Sequence, residues 1–397
     1  MLITALVFLL LLSVLVLIHE AGHFFVAKRF GIKVEEFGFG LPLTKALFSK
    51  KIGETIYSFY PALIGGFVKL YGEDDAGAGR VKLKVKSEKL KVGDEDRAFY
   101  SRSLWQRAAV ILAGVVMNTI LAIVIFYAFL AVSNFQTVVP ILGENAPQFI
   151  GAEQKFIPKG ASIGRVAPGS PAEKAGIKIQ SVVTSINGQK VTGNNELIDI
   201  INKNKGKETT VDWFDINANK KFTANIVPRV SPPKNEGAVG IAFDYNQYDL
   251  AILNYEKPEN KIFAGFSHTY NTFLYNADGI RALFSQSVKE KNVGAISKNV
   301  GGPVMIFKIV GDIIKIPDAK EIVLQLLNMA GTLSLSLAFF NVLPIPGLDG
   351  GRLFFIEIEA VTRRKLNPKF ESIANAVGMA VLIGLIMLIT FKDIFLK

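Results

Sequence analysis

The sequence predicts an α-helical integral membrane protein with four membrane-crossing helices, a β-hairpin between the first two, and one exported α/β domain. Three observations predict it. Half of the 397 residues are hydrophobic, with 30 Phe and no Cys, and the mean hydropathy is positive, which excludes a purely soluble globule. Four apolar runs, at about 2–27, 105–133, 320–343 and 373–396, are long enough to span a bilayer. The net charge of +11 sits mainly in loops beside those runs. Membrane orientation accounts for that placement, so no nucleic-acid partner is expected.

The first run, taken as a span over 1–30, lacks the basic start, short core and small-residue cleavage site of a signal peptide. It is expected to be retained. The loop from Lys28 to Arg107 carries sixteen Lys or Arg and that from Arg352 to Lys369 five, including Arg363, Arg364 and Lys365. Both loops are therefore assigned to the cytoplasm, and the region from about 135 to 318 to the other side. The remaining spans are 105–134, 319–343 and 373–397, the third diluted by Gln325, Asn328 and Ser334.

Near its end the first span reads LVLIHEAGHFF, with His19, Glu20 and His23 in an apolar helix. Ionisable groups at membrane depth are rare and usually functional. Two His four residues apart share one helix face, where both rings reach a single Zn²⁺ at about 2.0–2.1 Å. Glu20, beside them, suits a general base. With no Cys, zinc must be held by His and carboxylates, and a catalytic zinc wants three protein ligands. A candidate third ligand is Asp349 in NVLPIPGLDGGR, where two prolines end the third span. Alone, D-G-G reads as a turn; beside a zinc site short of one ligand, it reads as the missing carboxylate.

HEAGH in a first span paired with NVLPIPGLDGG in a later one resembles the site-2 protease family of intramembrane zinc metalloproteases. Within it, the bacterial regulator-of-sigma-E protease group (RseP-like) is the most similar, over nearly the whole chain. The resemblance implies His19, His23 and Asp349 as zinc ligands and Glu20 as the catalytic base. It also implies that Gly114 and Asn118 of GVVMN pack near the active site, and that Asn341 contacts unwound substrate. Small-residue packing for Gly114, and capping of the broken helix for Asn341, are the bland alternatives.

Between the first two spans (31–104), ETIYSFYPALIGGFVKLYGE reads as strands joined by a tight bend, a hairpin over about 52–72. The resemblance makes it membrane-reentrant, with Gly65 and Gly66 in a strand that binds substrate by β-addition. An ordinary cytoplasmic hairpin is the alternative.

The exported domain is expected over 158–232. SIGRVA is a strand. SPAEKAG is a short helix capped by Ser170, with Pro171 in its first turn, Glu173 completing a capping box and Gly176 at its end. Two strands meet at Asn187-Gly188, NNELIDIINKNKG is a helix, and TTVDWF and KFTANIV close the sheet. GSPAEKAGI followed by INGQKV resembles a PDZ domain, although KIQSV stands where that family has Gly-Asp, which puts peptide binding in question. Residues 233–318 read as a linker with an interfacial helix at 262–284, for which packing under the PDZ-like domain is the alternative, and His268 there as solvent-facing and without a catalytic role. An LDG active-site segment and cytoplasmic loop fill 344–372.

The function expected is that of a zinc metalloendopeptidase of the bacterial cytoplasmic membrane. It would cleave in or near transmembrane segments of membrane proteins, with the PDZ-like domain on the extracytoplasmic side. By resemblance, its substrates are anti-sigma factors or signal-peptide remnants. The rival is a non-catalytic zinc-containing scaffold or metal carrier using the PDZ-like domain. Glu20 argues against it, since hydrolysis needs that residue and metal binding does not. A carrier would also want further intramembrane polar sites, and none is read on the second or fourth span.

Overall fold

Why an uninterrupted aliphatic stretch makes a helix here follows from its surroundings: in lipid, backbone groups must be satisfied within the segment. The computed structural model describes residues 1–73, 95–141, 148–216, 218–234, 236–243, 249–290, 300–364 and 366–395. Lys365 and the basic stretch 80–91 of the loop after the first span lie outside them. The chain divides into two compact units, Met1–Val132 with His268–Lys397, and Ser133–Ser267.

Helix α1 (Leu2–Arg29) is apolar on every side and places Lys28 and Arg29 in its last turn, where cations complement the helix dipole. Four strands follow: β1 (Val34–Leu41), β2 (Phe48–Ile52), β3 (Thr55–Phe59) and β4 (Ala62–Leu70). They form one sheet in the order β2-β3-β1-β4. This corrects the hairpin expected at about 52–72, because β3 and β4 do not pair. β1 lies between them, parallel to β3 and antiparallel to β4, and the true hairpin is β2–β3 around Gly53. After β3 the Tyr60 N–H donates to the Phe39 carbonyl at 2.8 Å, so the chain passes over the end of β1 before β4 starts. Alternation in 52–72 is a local signal and carries nothing about a strand inserted from 34–41. Gly38 of β1 sits opposite Phe67, whose ring occupies the space a Cβ would need.

The sheet packs on α1 through Phe24 against Phe37 at 5.3 Å between rings, over a core of Ala27, Ile32, Val34, Val68, Leu70 and Val110. Glu54, at the β2–β3 turn, pairs with Lys28 at 2.6 Å and Arg97 at 2.8 Å. The hydrogen bond from Arg97, helped by Lys28, holds its carboxyl down at about 2. A depressed carboxylate stabilises fully above its unfolded pKa and loses that contribution as pH falls through its folded one. Hydrogen-exchange protection at β2 and β3, taken relative to the intrinsic exchange rate at each pH, should therefore be unchanged from pH 7 to about 5 and fall between about pH 4.5 and 2. Constant protection across that window would remove the ion pair from the account.

Helix α2 (Leu104–Val132) is the second long apolar helix. The second unit then holds β5 (Gln136–Ile141), β6 (Glu153–Phe156), β7 (Ala161–Val166), α3 (Pro171–Lys174), β8 (Ser181–Ile186), β9 (Gln189–Lys190), α4 (Asn194–Lys203), β10 (Thr209–Asp215), β11 (Lys220–Ile226), β12 (Ile241–Phe243), β13 (Asp249–Asn254) and α5 (Pro258–Lys261). Its main sheet runs β11-β10-β8-β7-β12, with β9 on β8, and a second sheet runs β5-β13-β6. Alternation on β8 and β10 buries Val183 and Trp213 in one core cluster, and Val182 and Phe214 in another, so the sheet is covered on both faces. The Ser170 hydroxyl accepts from the Glu173 N–H at 3.2 Å. Glu173 reaches back to the Gly169 N–H at 2.6 Å, one residue earlier than a strict capping box. Asn187 and Gly188 both have positive φ, the turn a two-residue hairpin requires. Residues beyond 232, read as linker, contribute β12 and β13.

Helix α6 (Ala264–Glu290) buries His268, Thr269 and Asn271 and exposes Tyr270, Phe273 and Leu274. That is the reverse of a water-soluble helix, and the apolar side suits lipid. His268 is therefore not solvent-facing: it is 4% exposed, edge-on to Phe126 at 4.8 Å and stacked on Phe129 at 6.0 Å. Polarity alone therefore does not predict which face of α6 is buried.

Helix α7 (Pro303–Ile313) meets α1 through Phe307 and Phe8 at 5.7 Å. Its first N–H groups find a carboxylate, Asp393, at 2.7 Å from Gly302 N and 3.3 Å from Met305 N. Helix α8 (Ala319–Val342) is the third long apolar helix and stops before Pro344. Helix α9 (Asp349–Thr362) starts at D-G-G, so the segment read as a loop is a helix whose two early glycines lower its propensity. Arg107 of α2 pairs with Glu359 of α9 at 2.7 Å. Helix α10 (Pro368–Phe395) supplies the fourth candidate span.

Candidate metal centre

The i, i+4 spacing on α1 sets His19 and His23 over one another, with Nε2 atoms 3.2 Å apart. Asp349 meets them from the first residue of α9. Its Oδ2 is 3.0 Å from Nε2 of His19 and 3.3 Å from Nε2 of His23. Tetrahedral ligands at about 2.0 Å from zinc are separated by roughly 3.3 Å, so these three atoms have the spacing of one face of a zinc tetrahedron. Among the described residues they are the group whose donor atoms converge in this way.

Helix α2 sets both rings. Nδ1–H of His23 donates to the Val110 carbonyl at 2.8 Å, which leaves Nε2 with its lone pair for a metal. His19 has Asn118 at 3.3 Å from Nδ1. Asn118 is fully buried, and its Oδ1 has no hydrogen-bond partner. An orphaned buried carbonyl is costly. Turning the amide by half a rotation gives Oδ1 the Nδ1–H of His19, and Nε2 of His19 is then a metal donor as well. The donor set thus fits zinc, and the orphan is the sign of it. Gly114 lies beneath both rings: a Cβ there would be 2.5 Å from Nε2 of His23 and 2.6 Å from Cε1 of His19.

Glu20 projects from the same turn of α1. Gly66 of β4 lies against it, since a Cβ at Gly66 would sit 3.3 Å from Cγ of Glu20 and 3.4 Å from Cγ1 of Val16. Gly65, at φ +104, faces Leu41 instead. Asn341 is in the last turn of α8, half-buried, and is not hydrogen-bonded to any of the three donor atoms. Two contributions were not visible in the sequence. Arg352, one turn into α9, pairs with Glu73 just past β4 at 2.6 Å. Asn375 is 4% exposed on α10 and Asn118 is fully buried on α2, which corrects the expectation of no polar site on the second or fourth span. For Asn375, a lone amide in an apolar run was the only signal.

Residues 7–385 match peptidase family M50. A provisionally named zinc metalloprotease of Clostridium perfringens is 31% identical over 97% of this chain and 97% of its own. The zinc metalloprotease RasP of Oceanobacillus iheyensis is 26% identical over 98% of each. A PDZ domain of an SdrC-like protein from Listeria monocytogenes matches 22% of this chain and 92% of its own at 22% identity, with a TM-score of 0.20.

Proposed function

The chain belongs to peptidase family M50 and is a zinc metalloprotease, and from that premise we propose that it cuts membrane-protein substrates within or beside their transmembrane segments. His19, His23 and Asp349 hold the zinc in this reading, and Glu20 is the general base. The observation that carries it is the convergence, to within 3.3 Å, of donors from an apolar helix and from a residue 330 positions later. His19 is nine residues before Lys28, so the rise of α1 puts the site roughly 13 Å below that cation.

When bound, zinc polarises the scissile carbonyl and acidifies water. Glu20 takes the proton released as water attacks and delivers it to the departing amine. His23 keeps its donor atom aimed by giving Nδ1–H to Val110, and Asn118 does the same for His19. A peptide must be extended to expose its bond. Among the described residues β4 has no strand on its outer edge, and Gly66 brings that edge against Glu20. An extended substrate adding there presents its backbone to the site. The outward apolar side of α6 would lie in the interface. The PDZ-like module, with Ser133–Ser267, would sit on the extracytoplasmic side of a bacterial cytoplasmic membrane and hold or exclude substrate. Trimmed anti-sigma factors and signal-peptide remnants are the substrate classes that fit.

The test is to reconstitute the protein with single-span substrates and map the cut by mass spectrometry. Cleavage inside or within a few residues of the span is expected. Cuts confined to water-exposed loops would overturn the proposal.

A further inference from the structure

The turn that delivers Asp349 is gripped from behind by α10. Asn375 accepts a hydrogen bond from the Gly347 N–H at 3.2 Å. Three residues on, Gly378 lies against Pro346 so closely that a Cβ would fall 1.9 Å from the Pro346 carbonyl oxygen. Gly347 answers in kind, because at φ +95 a Cβ of its own would come 2.8 Å from the Met379 nitrogen. Two glycines thus meet backbone to backbone, as small residues permit where helices approach in lipid. The turn itself is closed by the Leu348 N–H donating to Ile345 at 3.1 Å. Asp349 follows directly, as the first residue of α9.

An amide buried in a membrane helix is unfavourable unless it is partnered. Most of α10 shows apolar side chains outward, among them Val377, Val381, Leu385 and Leu388. Asn375 is buried and polar, and its partner is the backbone two residues before the candidate ligand. We propose that Asn375 and Gly378 are positioning residues of the zinc site: they fix the Pro346–Gly347 turn and through it the carboxylate of Asp349. The fourth span is then part of the metal centre and not only an anchor. This rests on the reading of His19, His23 and Asp349 as zinc ligands.

The test measures zinc affinity of the full-length protein in nanodiscs by competition with a chromophoric chelator. Asn375→Leu, which keeps the branched side-chain shape and loses the acceptor, should weaken zinc by about tenfold or more. Asn375→Asp, which keeps an oxygen at the same reach, should recover to within about threefold of wild type. Gly378→Ala should lose at least as much as Asn375→Leu. Thermal unfolding of the zinc-free Asn375→Leu protein should match that of the zinc-free wild type, which a packing defect would not. Asp349→Asn is the control. If it keeps wild-type affinity, the ligand reading falls and takes this inference with it. If it loses zinc while Asn375→Leu and Gly378→Ala keep wild-type affinity, the inference alone is overturned. A weakened Asn375→Leu that also unfolds earlier without zinc, or that Asn375→Asp does not restore, overturns it too.

Discussion

Replacing Glu20 by Gln leaves zinc bound and lowers the cleavage rate by about 10²–10⁴-fold, the contribution of a positioned general base. That range is roughly 3–5 kcal/mol of barrier. Zinc stays because the converging donors come from His19, His23 and Asp349, and Gln fills the same volume against Gly66 without a basic oxygen. Metal content by atomic emission and single-turnover cleavage of a reconstituted substrate check the two halves separately. Equal rates for the two proteins would remove Glu20 from the mechanism. Loss of zinc from Glu20→Gln would instead mean that the residue belongs to the donor set.

The parts of this site legible in the sequence are those governed by fixed helical periodicity. His19 and His23 had to share a face once 2–29 was a helix, and Glu20 had to stand beside them. Asp349 was reachable only by counting ligands and by resemblance, since it lies 330 positions after His19 and no periodicity spans that gap. The layer behind these groups was less visible. Val110 acts through its carbonyl, which every residue has. Gly378 acts through a missing side chain, and Asn375 looked like a blemish in an apolar run.

The sheet shows the same boundary between local and non-local information. Gly53 and the flanking alternation mark the β2–β3 turn, but nothing between 52 and 72 signals that β1 comes between β3 and β4. VEEFGFGL, with two acids and two glycines, has weak strand character of its own; pairing with β3 and β4 makes it a strand. His268 differs for another reason. Helical spacing groups residues on a face but does not say which face meets the rest of the protein, and α6 turns His268, Thr269 and Asn271 inward.

Gly114→Ala should abolish zinc binding at ordinary concentrations, an affinity loss of about 100-fold or more, and activity with it. The new methyl would lie 2.5 Å from Nε2 of His23, 2.6 Å from Cε1 of His19 and 2.8 Å from its Nδ1. Those rings have little room to retreat. His23 is tied to the Val110 carbonyl on the same helix as Gly114, and His19 faces fully buried Asn118. Relief must therefore come from α1 and α2 moving apart. They are pressed together at Gly22, where a Cβ would stand only 2.4 Å from the Ala113 oxygen. Such overpacking costs about 1–3 kcal/mol, small for the fold and large for donor atoms that must agree to a few tenths of an ångström. Gly384→Ala on α10, where a methyl meets open space, is the matched control and should bind zinc as the wild type does. Wild-type zinc affinity in Gly114→Ala would mean that the two imidazoles do not take their positions from the helix beneath them, and the account of α2 as the seat of the metal centre would fail.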